Sequence, residues 1–216
     1  MSFATMLLQL GKGMLVTAEI FVLTLLFSLP LGLVLAFGRM AKNGFLRGVT
    51  KIYISIMRGT PLMLQLFVVY FAPYYVFKIP ISSSYRIVAV IIGFVLNYAA
   101  YFAEIYRAGI ESIPVGQYEA AKMLGYSKAS TFFRIILPQV IKRILPPVTN
   151  EVITLVKDTS LAFVLSVTEM FTIAKQIAAA EKSMMAFVAA GIFYYIFNLL
   201  VALIMEKIEK KLSYYK

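Results

Sequence analysis

The sequence of 216 residues contains no cysteine, no histidine and no tryptophan. Without cysteine there is no disulfide and no thiol nucleophile, and without cysteine and histidine the usual zinc sites and histidine acid-base catalysis are excluded. Acidic residues are also few, with 10 Asp and Glu against 21 Lys and Arg. We therefore expect no catalytic residue, no metal site and no enzyme activity in this chain.

Apolar residues make up 61% of the chain and charged residues only 14%. A soluble domain of this length could not bury so much apolar surface, so the composition indicates an integral membrane protein that contacts lipid. The net charge of +11 would suggest nucleic-acid binding in a soluble protein. Here the basic residues lie in short loops between apolar segments, so we expect no nucleic-acid partner.

Five segments are apolar enough to cross a bilayer, which takes about 20 residues of helix. They are residues 14–37, 52–71, 87–106, 141–156 and 185–205. The fourth is the shortest, and Pro138, Pro146 and Pro147 should disturb it, so its start is predicted as a kinked turn near Leu137. Residues 161–180 are apolar but interrupted by charge, and we interpret them as a re-entrant or surface-lying helix.

Most of the 21 Lys and Arg residues lie after the first span, after the third span and at the carboxyl end. Basic loops of membrane proteins face the cytosol. The amino terminus is therefore predicted outside the cell membrane and the carboxyl terminus inside. The loop of residues 107–140 is predicted to be cytosolic.

That loop contains a pattern typical of a protein contact. A short helix over residues 115–124 is expected to end at Gly125, because glycine tolerates the left-handed backbone that closes a helix. Ser127 is expected to cap a second helix. Ala120 and Ala121 are small enough for close approach to a partner, and Glu119 supplies charge beside them.

The same stretch follows the spacing Glu-Ala-Ala, three residues, Gly, nine residues, Ile, one residue, Leu-Pro. Its members are Glu119, Ala120, Ala121, Gly125, Ile135, Leu137 and Pro138. In this pattern the chain resembles the membrane subunits, or permeases, of ATP-binding-cassette (ABC) importers. The alternative is an ordinary helical loop between membrane helices.

The resemblance implies an all-α membrane protein of the type I importer class, with five transmembrane helices in one domain over residues 1–216. It implies that a separate ATPase subunit receives the helix, with polar contacts from Glu119 and a turn permitted by Gly125. The sequence lacks a G-x-x-x-x-G-K-[ST] loop for phosphate binding, so ATP and Mg should bind to that ATPase. A second permease copy or a close relative and an external solute-binding protein are the other implied partners.

Three further stretches are similar to permeases that import polar amino acids. They are Arg58 to Pro61, Asn97 to Ala121, and Lys157 to Leu161. The architectural alternative stays open, because Gly59 and Pro61 could simply kink a helix.

Polar residues recur at spacings of three and four in the third and fourth spans, which places each set on one helical face. The sets are Asn97, Tyr101 and Glu104, and Glu151, Thr154 and Asp158. Ionisable groups at membrane depth usually face a cavity or a partner. We predict that Asn97, Tyr101, Glu151, Thr154 and Asp158 contact the substrate, and that Glu104 pairs locally with Arg107.

The class of amino acid that is transported depends on which cation pairs with Glu151 and Asp158. If it belongs to the substrate, the cargo is a basic amino acid such as arginine, lysine or histidine. If Arg58 or Lys157 supplies it, the carboxylates are structural and the cargo could be glutamine or glutamate. An ATP-independent channel or ion-coupled carrier is the rival of a different class, in which these acids would relay protons.

Overall fold

The computed structural model describes residues 1–212, and the regular structure within them is entirely helical. The helices are α1 (Phe3–Arg39), α2 (Gly44–Gly59), α3 (Leu62–Phe77), α4 (Tyr85–Glu111), α5 (Val115–Met123), α6 (Lys128–Thr131), α7 (Leu137–Asp158), α8 (Met170–Glu181) and α9 (Met185–Leu212). A π-helical turn, Phe132–Ile136, joins α6 to α7, and a 3₁₀ turn, Thr159–Leu165, follows α7.

Three helices are long and apolar enough to cross a membrane on their own, namely α1, α4 and α9. If each of two bent pairs forms one span, the number of spans rises to five. One pair is α2 with α3, and the other is the run Lys128–Leu165 with α8. The predicted first, third and fifth spans therefore correspond to continuous helices.

The second predicted span, residues 52–71, is not one straight helix. The chain bends by 115° between α2 and α3. Thr60 adopts an extended conformation (φ −122°, ψ 150°), as expected for a residue that precedes proline, and Pro61 has no N–H to continue the helix. The architectural role considered for Pro61 is thus observed in the fold.

The fourth span has the predicted distortion at its start, but its two internal prolines do not interrupt the helix. The π-helical turn ends at Ile136, immediately before Leu137, so the expected distortion lies where it was placed. Pro138 is the second residue of α7 and directly follows the π-helical turn. Pro146 and Pro147, however, lie inside α7, which runs unbroken in secondary structure to Asp158.

The segment predicted as one re-entrant or surface-lying helix is two helical pieces. Ser166 has a left-handed backbone (φ 57°), the chain bends by 60° there, and α8 starts only at Met170. Helix α8 packs between α1 and α9, with Ala174 and Ile177 buried, so it does not lie on the surface.

Glu169 is fully buried at the start of α8 and caps it. Its carboxylate accepts hydrogen bonds from Phe171 N (2.7 Å) and Thr172 N (2.6 Å). It also accepts from the hydroxyls of Thr172 (2.9 Å) and Tyr194 (3.1 Å). These four donors offset the cost of removing the carboxylate from water.

The core lies where α1 and α4 pack side by side. Close approach depends on small residues: a Cβ placed on Gly32 would stand 2.8 Å from Cβ of Phe102. Ala36, Ala100 and Ala103 are fully buried in the same contact region. Apolar side chains on the outside of the bundle, such as Leu15 (72% exposed) and Val68 (65% exposed), form a surface suited to lipid.

Two glycines of α1 give a matched test of this packing. A Cβ on Gly13 would lie 2.7 Å from Cα of Met170, whereas a Cβ on Gly11 would meet nothing within 4 Å. We expect Gly13→Ala to destabilise the protein by about 1–3 kcal/mol, since backbone atoms must move. Gly11→Ala should leave stability unchanged or slightly raised. Thermal unfolding in detergent measures both, and equal midpoints for the two variants would contradict the packing described.

Candidate functional site

The break between α2 and α3 is held by two buried amides. The Nε2 atom of Gln65 donates to the carbonyls of Met57 (2.9 Å) and Thr60 (3.1 Å) and to the Thr60 hydroxyl (2.8 Å). The Nδ2 atom of Asn97 donates to Met57 O (3.0 Å) and to Gln65 Oε1 (2.9 Å). The amide nitrogen of Asn97 is therefore engaged in holding the break, and its contact with substrate stays a prediction.

The break exposes Arg58 beside the polar face of α4. Its guanidinium carbon lies 5.3 Å from the centre of the half-buried Tyr101 ring, a cation–π contact. Arg58 also attracts Glu104 and Glu151 electrostatically, although no ion pair joins it to either among residues 1–212.

On α7, Glu151, Thr154 and Asp158 are half-buried on one side of the helix. Asp158 Oδ2 accepts a hydrogen bond from the hydroxyl of Tyr98 (2.8 Å). Glu151 has no hydrogen bond or ion pair within the described residues, and its described neighbours include Arg58 and Asp158. Neither Arg58 nor Lys157 forms an ion pair with these two carboxylates in that part of the chain.

Two residues that the sequence did not single out hold parts of this region together. Tyr98 is one of them, and it is buried between α4 and α7. Gln65 is the other, 32 residues from its partner Asn97. A glutamine inside an apolar span is a usable sequence signal, whereas Tyr98 resembles any core aromatic residue. Glu104 pairs with Arg107 on α4, as predicted, and Arg107 also pairs with Glu111.

Helix α5 ends in the turn that the sequence predicts. Gly125 has φ +78°, and a Cβ there would meet nothing within 4 Å, so glycine is required by the backbone alone. Tyr126 N donates to Ala121 O and Gly125 N to Lys122 O, both at 3.0 Å, which is the hydrogen-bond pattern of a Schellman cap. The Ser127 hydroxyl then accepts from Ser130 N (3.2 Å) and caps α6.

The outer side of α5 is open and partly apolar. Glu119 and Ala120 are exposed, while Ala121 is buried. Met123 and Leu124 are 88% and 75% exposed. Large apolar side chains exposed at a helix end in an aqueous loop are typical of a protein contact.

A small apolar cluster attaches α5 to α7. Ile113, just before α5, packs with Ile136 and Val140 of the segment that contains Leu137 and Pro138. Arg143 of α7 also donates to the Ser112 hydroxyl (3.0 Å). The turn below α4, the exposed helix α5 and the beginning of α7 therefore form one connected unit.

The family model described as binding-protein-dependent transport system inner membrane component matches residues 28–214. The chain belongs to this family. The L-cystine transport system permease protein TcyB of Bacillus subtilis is 38% identical over 210 residues, covering 95% of this chain and 87% of that protein. The putative glutamine transport system permease protein GlnP of Rickettsia bellii is 38% identical over 212 residues, covering 97% and 95%.

Solved structures agree with the fold of this permease. A crystal structure of an amino acid ABC transporter with histidines has a TM-score of 0.86 at 27% identity, covering 98% of this chain and 99% of that chain. An inward-facing methionine ABC transporter has a TM-score of 0.73 at 18% identity, covering 99% and 100%, and supports the fold alone.

The protein is therefore a multi-pass cell-membrane permease of an amino acid ABC importer, with the type I importer fold. ATPase subunits and a solute-binding protein are the partners that this family implies. The predicted family and fold class are confirmed. The substrate-contacting residues remain predictions.

Tyr98→Phe tests the link between α4 and α7. It removes the hydroxyl that binds Asp158 and leaves a half-buried carboxylate without that donor, which should cost about 1–3 kcal/mol of stability. Tyr195→Phe is the matched control, since Tyr195 is 67% exposed on α9. The thermal midpoint in detergent should fall only for Tyr98→Phe; an equal fall for both variants would contradict a specific role of this hydrogen bond.

Proposed function

We propose that this permease imports a basic amino acid, such as arginine, lysine or histidine. The observation that carries the proposal is Glu151, a half-buried carboxylate without a hydrogen-bond or ion-pair partner in residues 1–212. Asp158 lies nearby and receives only the neutral Tyr98 hydroxyl. Together they offer negative charge to a substrate ammonium or guanidinium at membrane depth.

A neutral polar amino acid such as glutamine is the second candidate, and one observation favours it. Arg58 lies over Tyr101 and near Glu151, so it can offset one carboxylate within the protein. An amino acid then needs only its own α-ammonium and α-carboxylate to match the site. The relatives named for L-cystine and for glutamine are equally compatible with this alternative.

Transport in this proposal is driven from outside the chain. ATP and Mg bind to the partner ATPase, whose surface receives α5 through Glu119, Ala120 and the exposed Met123 and Leu124. Movement of α5 is passed to α7 through the cluster of Ile113, Ile136 and Val140. In this orientation the loop of residues 107–140, which contains α5, faces the cytosol, and the amino terminus lies outside the membrane.

The polar face of α4 and α7 is one wall of the path in this proposal. A second permease copy or a close relative supplies the opposite wall, lipid surrounds both, and the solute-binding protein delivers cargo from outside. Alternate opening to the two sides follows from the closing and separation of the ATPases. An ATP-independent carrier would not need α5 at all, which makes the turn at Gly125 the discriminating feature.

The cargo can be tested on the purified complex by thermal stabilisation with individual amino acids. Arginine, lysine or histidine should raise the unfolding midpoint of the parent complex, because a ligand that binds the folded state stabilises it. Glu151→Gln should weaken that ligand's affinity by about tenfold or more, the effect of losing a charge-assisted hydrogen bond.

Glu19→Gln, a change of an exposed glutamate on α1, serves as the control and should leave the stabilisation intact. Stabilisation by glutamine without any effect of the three basic amino acids would reject the basic cargo and favour the neutral one.

The coupling role of α5 predicts a large effect of one substitution. Gly125→Val forces a branched residue into a left-handed backbone, which costs about 1–2 kcal/mol and should distort the cap of α5. We expect ATP-driven uptake in proteoliposomes to fall at least tenfold while the permease stays folded. Gly116→Ala is the control, since it lies on the same helix with open space around it. Unchanged uptake in Gly125→Val would reject the coupling role.

A further inference from the structure

Helix α2 has three distinct faces. Its buried face, with Thr50 and Ile54, packs on α1 and α4. An exposed apolar face consists of Phe45, Val49, Ile52 and Ile56, which are 49–81% exposed. A third face, called here the basic face, consists of the exposed residues Arg47, Lys51 and Arg58. At about 100° per residue, the apolar and basic faces point about 150° apart.

The basic face runs from the candidate substrate site toward the Glu104 end of α4. Helices α2 and α4 are antiparallel neighbours: Asn97 Nδ2 donates to Met57 O (3.0 Å), whereas the earlier residue Ile54 packs in one cluster with the later residue Ala103. Earlier residues of α2 therefore lie beside later residues of α4. At about 1.5 Å per residue, Lys51 lies about 10 Å and Arg47 about 16 Å from Arg58 along the axis.

A membrane environment treats these two exposed faces differently. Lipid chains can cover the apolar face without cost, whereas three cations on one face of α2, which forms half of a bent span, require water or an opposite charge. Arg47 and Lys51 form no ion pair with any residue of the described chain. Arg58 contacts Tyr101 and lies near Glu104 and Glu151, on the polar side of α4 and α7.

We propose that the basic face of α2 lines a water-filled route from the Arg58 level to the cytosolic end of the permease, and that its positive charge selects cargo bearing a carboxylate. This proposal rests on the path and orientation given under the proposed function. It adds a role for the carboxylate of the cargo: an amino acid can move with its carboxylate on the basic face and its amines toward Glu151. An amine without a carboxylate meets only repulsion on that face.

The absence of cysteine from the chain makes a direct test simple. The permease is assembled with its ATPase in lipid nanodiscs with one introduced cysteine at a time. Lys51→Cys and Arg47→Cys probe the basic face, and Ile52→Cys and Val49→Cys are the matched controls on the apolar face. Each is treated with water-soluble methanethiosulfonates of either charge, and the label is measured on the permease polypeptide.

We expect the cysteines on the basic face to react at least tenfold faster than those on the apolar face. At position 51, the anionic reagent should react several-fold faster than the cationic reagent, because Arg47 and Arg58 remain. That preference should shrink in high salt and when Arg47→Gln is added, since both reduce the local positive potential. A membrane-permeant maleimide checks that the control cysteines are present and able to react.

Equal rates at positions 51 and 52 would overturn the water-filled route. Protection of position 51 in the assembled complex would also overturn it, because another subunit or lipid would then cover the basic face. Equal rates of the two reagents at position 51 would overturn the charge selection. Labelling requires no uptake, so these outcomes can be separated from a failure of the proposed cargo or of the coupling through α5.

Discussion

The organisation of this permease depends on the hydrogen bonds that hold the break between α2 and α3. Backbone groups left unpaired inside a bilayer cost several kcal/mol, so a span can be interrupted only where other groups take over their hydrogen bonds. Gln65 and Asn97 do this for the carbonyls of Met57 and Thr60. Because the interruption is tolerated, Arg58 lies in the last turn of α2, beside Tyr101.

The polar residues around that break combine structural and chemical roles. Asn97 and Tyr98 are adjacent on α4, yet one stabilises a backbone turn and the other binds the carboxylate of Asp158. Glu151 differs from both because the chain leaves it without a hydrogen-bond partner in its described part. The distinction between satisfied and unsatisfied polar groups is what separates supporting residues from a candidate ligand contact.

The elements that sequence predicted well are those set by local chemistry. Hydropathy located the continuous spans, and the glycine and serine of the α5 loop predicted its cap and the start of α6. The residue pattern around Glu119 indicated the family. What escaped prediction depends on distant contacts: Gln65 meets Asn97 across 32 residues, and Glu169 is stabilised partly by Tyr194, 25 residues away. Pro61 indicated a kink, but the bend angle of 115° could not be predicted without knowing which residues pack around it.

The attachment of α5 has a mechanical consequence. Ile113, Ile136 and Val140 form a compact apolar joint, and Arg143 adds a second tie to Ser112 a few residues away. Two anchors on the same helix transmit torque as well as displacement. In the mechanism proposed above, a force on α5 would therefore rotate α7 about its own axis as well as shift it, and such a rotation would change the position of Glu151 relative to α4.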